Sequence, residues 1–121
     1  MQHIAMNSTE LLKGTLSTII LKLLEENGRM YGYEIVQLVK QMSGEKILIK
    51  EGSLYPALHK LEADKLLVAE EVFIGKRVRK YYSLTTSGKT SAQESVDELL
   101  EFLQTIHNLI TAQPPKTYGA A

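Results

Sequence analysis

Lys76, Arg77, Arg79 and Lys80 fall within the run KRVRK (76–80), with Tyr81 and Tyr82 directly after it, and no acid lies between Glu71 and Lys89. Such a cluster is suited to phosphate: each one neutralised adds about 0.9 to the salt slope of nucleic-acid binding. The same charges would also serve an ordinary solvated turn that blunts an exposed strand edge. A second set, Ser53, Tyr55, His59 and Lys60, offers hydroxyls, an imidazole and an ammonium that can reach base edges or phosphates. Its plain alternative is an exposed helix face. Tyr31, Tyr33 and Lys50 stand near the ends of neighbouring segments, where tyrosines can equally pack inward with their hydroxyls at the surface.

Other chemistry has little support. His3, His59 and His107 are far apart, and nothing resembles HExxH, GxSxG or a phosphate-binding glycine loop. Carboxylates pair only as the adjacent Glu25-Glu26, Glu70-Glu71 and Asp97-Glu98. The absence of cysteine removes disulfides, thiolate metal sites and thiol nucleophiles. The expectation is a chain without catalysis, metal or cofactor. No apolar run approaches the roughly 18 residues that span a bilayer, and no secretory leader is evident, so a cytoplasmic protein is expected. Asn7-Ser8-Thr9 matches a glycosylation sequon but reads better as a helix start.

The elements that must position these residues can be read from spacing. Asn7-Ser8-Thr9-Glu10 resembles a capping box, and from Leu12 the apolar positions Leu16, Ile19, Ile20, Leu23 and Leu24 mark one helical face. Asn27-Gly28 ends that helix. A short link carrying Tyr31 leads to a second helix from near Gly32, with Ile35, Val36, Val39 and Met42 inward and Ser43-Gly44 as its stop. In SLYPALHKLEADKLL a third helix turns Leu54, Leu58 and Leu61 one way and Gly52, Pro56, His59, Lys60 and Ala63 the other. Pro56 lacks an N–H and belongs in the first turn, with Ser53 as cap; a start one turn earlier would lose a bond there.

The period then changes from 3.6 to 2. LVAEEVFI (67–74) and VRKYYSL (78–84) flank Gly75-Lys76-Arg77 as a hairpin with a basic tip. Val78, Lys80, Tyr82 and Leu84 share one face of its second strand, and Arg79, Tyr81 and Ser83 the other. Thr85 caps a last helix whose Val96, Leu99, Leu103, Ile106 and Ile110 form a heptad seam. Leu100, Phe102 and Leu109 widen it beyond what one partner covers, favouring both its own domain and a second copy. Helix, helix, helix and hairpin make a winged helix-turn-helix, mainly α with a small β-hairpin. Residues 1–86 form the DNA-binding unit, 87–112 a dimerisation helix and 113–121 a flexible tail.

Charge supports this division. The 121 residues hold 14 bases and 14 acids, a formal zero that by itself disfavours a nucleic-acid binder. Yet residues 46–89 carry nine bases against five acids, and residues 90–113 four acids and no base. Charges beyond a Debye length of ~8 Å are largely screened, so a local basic region can still bind phosphate.

The pieces KGTLSTIILKLL, MYGYEIVQLV, KEGSLYPALHKLEADKLL and KRVRKYYSLTTSGK, in that order between Leu11 and Ile110, resemble the PadR family of bacterial transcriptional regulators. With one C-terminal helix the chain is similar to the short-chain subfamily. The resemblance implies a homodimer through the last helix aided by the first, where Leu12 and Leu16 lie. It implies a palindromic double-stranded operator, usually repressed, and release by a small-molecule effector. Carried over by position, the implied DNA contacts are Tyr31, Ser53, Tyr55, Pro56, His59, Lys76, Arg77 and Lys80; Lys50, Lys60 and Arg79 join them on charge. Family members that bind flat aromatic drugs line a dimer pore with tryptophan, whereas this chain has no Trp. The alternative is a winged-helix module that binds protein rather than DNA, which the neutral total would permit.

Overall fold

The computed structural model describes residues 9–115. Within them the order is α1 (Thr9–Lys13), α2 (Leu16–Asn27), β1 (Met30–Tyr31), α3 (Gly32–Met42), α4 (Glu51–Ala63), β2 (Leu67–Ile74), β3 (Arg77–Leu84) and α5 (Thr86–Thr111). Most of the expected capping box at 7–10 lies outside the described residues.

The first helix, expected in one piece, is broken in two. Gly14 weakens a helix interior by about 1 kcal/mol relative to alanine. Beside it, the Thr15 hydroxyl turns back to donate to the Leu12 carbonyl at 3.1 Å, competing with the helical ladder. α2 then buries Leu16, Ile20, Leu21, Leu23 and Leu24. Leu16, expected at a dimer surface, is therefore a residue of the chain's own core, one turn before Ile20 on the same face. Leu12 is half-buried. Gly28 ends α2 at φ +77°, donating its N–H to Leu24 O at 2.9 Å.

Met30-Tyr31, read above as a link, is a strand. It pairs antiparallel with β3, Met30 opposite Tyr82 and Tyr31 opposite Tyr81. The expected two-stranded hairpin is thus part of a three-stranded sheet ordered β1-β3-β2. The Tyr31 N–H donates to the Glu34 carboxylate at 3.1 Å, leading directly into α3. Ile35 and Val39 are buried, but Met42 is 70% exposed because the helix outruns the core in its last turn.

α4 begins at Glu51, earlier than expected. Lys50 rather than Ser53 precedes it, its carbonyl accepting from the N–H groups of Ser53 (3.0 Å) and Leu54 (2.9 Å). Pro56 consequently sits inside the helix, where it leaves the Gly52 carbonyl without its helical donor. Leu54, Leu58 and Leu61 anchor the element in the core. It closes through Lys65 at φ +62°, with the Leu66 N–H reaching Leu61 O at 2.9 Å.

β2 and β3 are in register from Leu67↔Leu84 to Ile74↔Arg77, so Arg77 belongs to the strand and the turn is Gly75-Lys76. Gly75 at φ +63° supplies the first position of a type II′ turn. Thr85 joins three elements: its hydroxyl donates to Lys65 O at 2.8 Å and accepts from the Gly88 N–H at 3.0 Å. Gly88 and Ala92 then bury the start of α5, which packs on α2. From Leu100 to Ile110 every residue is exposed. Among the described residues no helix is long and apolar enough to cross a membrane.

Candidate nucleic-acid interface

α4 presents Tyr55, Pro56, His59 and Lys60 outward, with Ser53 half-buried and Lys50 exposed just before the helix. The inward pull of Leu54, Leu58 and Leu61 forces this arrangement, since positions one or two residues away must point elsewhere. The rings of Tyr55 and His59 are 6.3 Å apart and tilted by 41°. Tyr55 also lies against the start of α3: a Cβ on Gly32 would meet its hydroxyl oxygen at 2.7 Å. That contact orients the tyrosine and ties α4 to its neighbour. Lys60 is lightly engaged by Asp64 one turn on, at 3.7 Å.

In the wing, the four bases of KRVRK separate by strand parity. Lys76 in the turn and Arg77 beside it are exposed at the tip. Lys80 lies on the core-facing side, 3.8 Å from the Glu62 carboxylate of α4 and 5.6 Å from the Tyr82 ring centre. Burial of Tyr82 pushes its hydroxyl above the ordinary phenol range.

Arg79 points to the opposite face. Its guanidinium stands 4.1 Å from the ring centre of Tyr31, which meets Tyr81 edge-on at 5.4 Å. A hydrogen bond to Tyr81 is the main reason its pKa is raised further. Arg29 completes the cluster 4.5 Å from the Tyr81 ring centre and 3.4 Å from the Glu70 carboxylate. The structure therefore gathers Tyr31, Arg79 and Tyr81 into one aromatic-cation patch, apart from Lys76 and Arg77. Arg29 was missed by sequence reasoning. Reading 29–31 as extended would have exposed it, because Arg29 and Tyr31 then share a face.

The residues expected at an interface between copies divide along α5. Val96 and Leu99 are half-buried, whereas Leu100, Phe102, Leu103, Ile106, Leu109 and Ile110 are exposed. An uncovered apolar row of this size is unusual on a soluble chain. Among the described residues no group of His, Asp and Glu is placed to hold a metal ion.

This geometry has close counterparts. A crystal structure of a PadR family transcriptional regulator from Eggerthella lenta superposes with a TM-score of 0.74 at 29% identity, over 86% of this chain and 88% of that one. A transcriptional regulator from Clostridium thermocellum gives a TM-score of 0.75 at 30% identity, over 84% and 98%. An uncharacterized protein of Lysinibacillus sphaericus is 36% identical over 100 residues, 81% of this chain and 90% of its own. The profile of the transcriptional regulator PadR-like family matches residues 20–94. The chain belongs to the PadR-like family of transcriptional regulators and is a winged-helix DNA-binding regulator rather than an enzyme.

Proposed function

We propose that the chain acts in the cytoplasm as a dimeric repressor of a nearby operon, binding a palindromic operator and leaving it when a small effector binds. Each α4 lies in a major groove. Tyr55 and His59 meet base edges, while Ser53, Lys50 and Lys60 hold the flanking phosphates. Lys76 and Arg77 of each wing reach the adjoining backbone, and Tyr31 presents its hydroxyl beside α3. Pro56 shapes the outer surface of the helix and donates nothing. Two copies join through the apolar row of α5, which a two-fold axis would cover with its own image.

The observation that carries this reading is the separation of surfaces: a polar α4 face and basic wing tip in the winged-helix unit, and an uncovered apolar row on α5. A mobility-shift titration with DNA from around the protein's own gene tests it. Binding at nanomolar protein, lost in stages with salt, supports a repressor; no shift at low salt favours a protein-binding module instead. Replacing Tyr55 or His59 should change which operator variants are preferred, and a uniform loss across sequences would count against base readout.

A further inference from the structure

Phe73 and Val78 stand opposite each other in the hairpin, one rung behind Ile74 and Arg77 at the turn. Both are open to solvent, Phe73 at 73% and Val78 at 50%. Their face of the sheet runs back from the tip through Glu71 and Lys80 to Ala69 and Tyr82, and only there does it meet the core. The charged rung separates the apolar pair from that core, so burial within the chain does not account for it. A cross-strand pair of this kind steadies a hairpin, but one valine leaves most of a phenyl ring uncovered. Outlying strand ends are normally blunted with charge or proline; this one carries an aromatic ring.

The surroundings of the ring indicate its partner. Residues 72–79 hold Lys76, Arg77 and Arg79 and no acid, and Lys76 and Arg77 are exposed at the tip. Lys80 shares the face of the apolar pair and lies 3.8 Å from Glu62, which puts the ring on the side of the wing turned towards α4. The tip is thus an apolar centre with a cationic rim. The minor groove of DNA is its complement: a slot about 6 Å wide, floored by base edges and lined along both lips by phosphates.

We propose that Phe73, backed by Val78, is a minor-groove wedge. Lys76 and Arg77 grip phosphates at the lips of the groove while the ring enters between two base pairs and partly unstacks them. Apolar side chains that do this kink the duplex by about 20–90° towards the major groove. Unstacking costs least at the flexible TA and CA/TG steps. The wing therefore selects operators by how readily their flanks deform, in addition to any hydrogen bonds made by α4. The wedge rests on the proposed placement of the wing on DNA, and the charged residues of the tip test that placement separately.

Circular-permutation mobility shifts and permanganate oxidation, which marks unstacked thymines, test this with the full chain on duplexes from around the protein's own gene. The wild type should bend the duplexes it binds by at least about 20° and render a flanking thymine reactive. Phe73→Ala should abolish that reactivity, straighten the DNA and weaken binding about tenfold, with the salt slope unchanged. Phe73→Leu, which keeps a side chain able to wedge, should retain most of the bend. No shift of any duplex by the wild type would defeat the DNA reading itself. Wild-type affinity in the Lys76→Ala, Arg77→Ala double variant would remove the wing from DNA. If that variant binds weakly while F73A bends and oxidises DNA as the wild type does, the wedge alone is overturned. A lower urea midpoint for F73A with no change on DNA would leave the ring a hairpin staple and also overturn it. So would loss of binding to phosphatidylglycerol vesicles with DNA behaviour intact, which would reassign the tip to a lipid surface.

Discussion

Arg79 stacks its guanidinium 4.1 Å from the ring centre of Tyr31, so one base of the KRVRK run is engaged by a neighbouring element. Tyr31 is the last residue before α3 and lies opposite Tyr81 in the sheet. The pair therefore fastens the wing to the helix-turn-helix. Arg79→Ala should lower the urea midpoint of unfolding and leave the salt slope of DNA binding unchanged. A slope reduced by about one would show instead that Arg79 contacts a phosphate.

Lys76 and Arg77 should behave in the opposite way. They are exposed at the tip, so alanine at both should lower affinity for every DNA sequence and reduce the salt slope by about 1.8. Stability should hardly change, surface substitutions of this kind being worth within about 0.5 kcal/mol. Lys80→Ala should fall between, because Glu62 already engages that ammonium. A salt titration of the three variants beside wild type resolves the order.

Gly88 is required by a close approach rather than by its backbone angles. A Cβ there would overlap the carbonyl oxygen of Leu66 and come within 3.3 Å of Leu84 Cδ2. Gly88→Ala should destabilise the chain by roughly 2 kcal/mol, overpacking outweighing the better helix propensity of alanine. Denaturant unfolding measures this. A gain in stability would mean that α5 can slide away from the end of α4.

Tyr82 should give the stability curve an alkaline limb. Its pKa is raised in the fold mainly by burial, from a reference of 10.0. The folded state thus holds a proton that the unfolded state releases first. The contribution is complete below about pH 10 and is lost as pH climbs through the folded value. Tyr82→Phe should remove that part of the pH dependence at a cost of about 1 kcal/mol or less at neutral pH. Unfolding measured between pH 8 and about 11 on both proteins checks the difference, and matching curves would exclude Tyr82 as the source.

Replacing Leu103 and Ile110 with glutamate should yield monomers by light scattering, because both lie on the uncovered row of α5. Far-ultraviolet dichroism should record a loss of helix confined to the distal half of α5, which no other described residue covers. A dimer persisting in this variant would place the contact elsewhere.

The helices and the hairpin could be read in the sequence because each buries one face over several repeats. Leu54, Leu58 and Leu61 mark α4 as plainly as Tyr82 and Leu84 mark β3. β1 could not: two residues show no period, and Met30-Tyr31 is a strand only because β3 lies beside it. Pro56 misled for a related reason. Local propensity favours it in a first turn, but Ile49 is buried and brings the chain into helix by Glu51. At the site, residue types marked a basic, hydroxyl-bearing surface but could not apportion its charges among neighbours. Whether Arg79 faces DNA or Tyr31, and whether Lys80 faces solvent or Glu62, depends on contacts between distant segments.

The joint at Thr85 and Gly88 has a mechanical consequence. It binds the root of α5 to the end of α4 through Lys65 and Leu66, and α5 then runs unbroken for 26 residues. At 1.5 Å per residue that is a rod of roughly 39 Å. Turning it at its root by only about 5° swings the far end by about 3.4 Å, the rise of one base pair. In the proposed dimer, where the rods of two copies would be clasped together, the distance between operator half-sites would become a ruler for the angle of this joint, graduated in single base pairs.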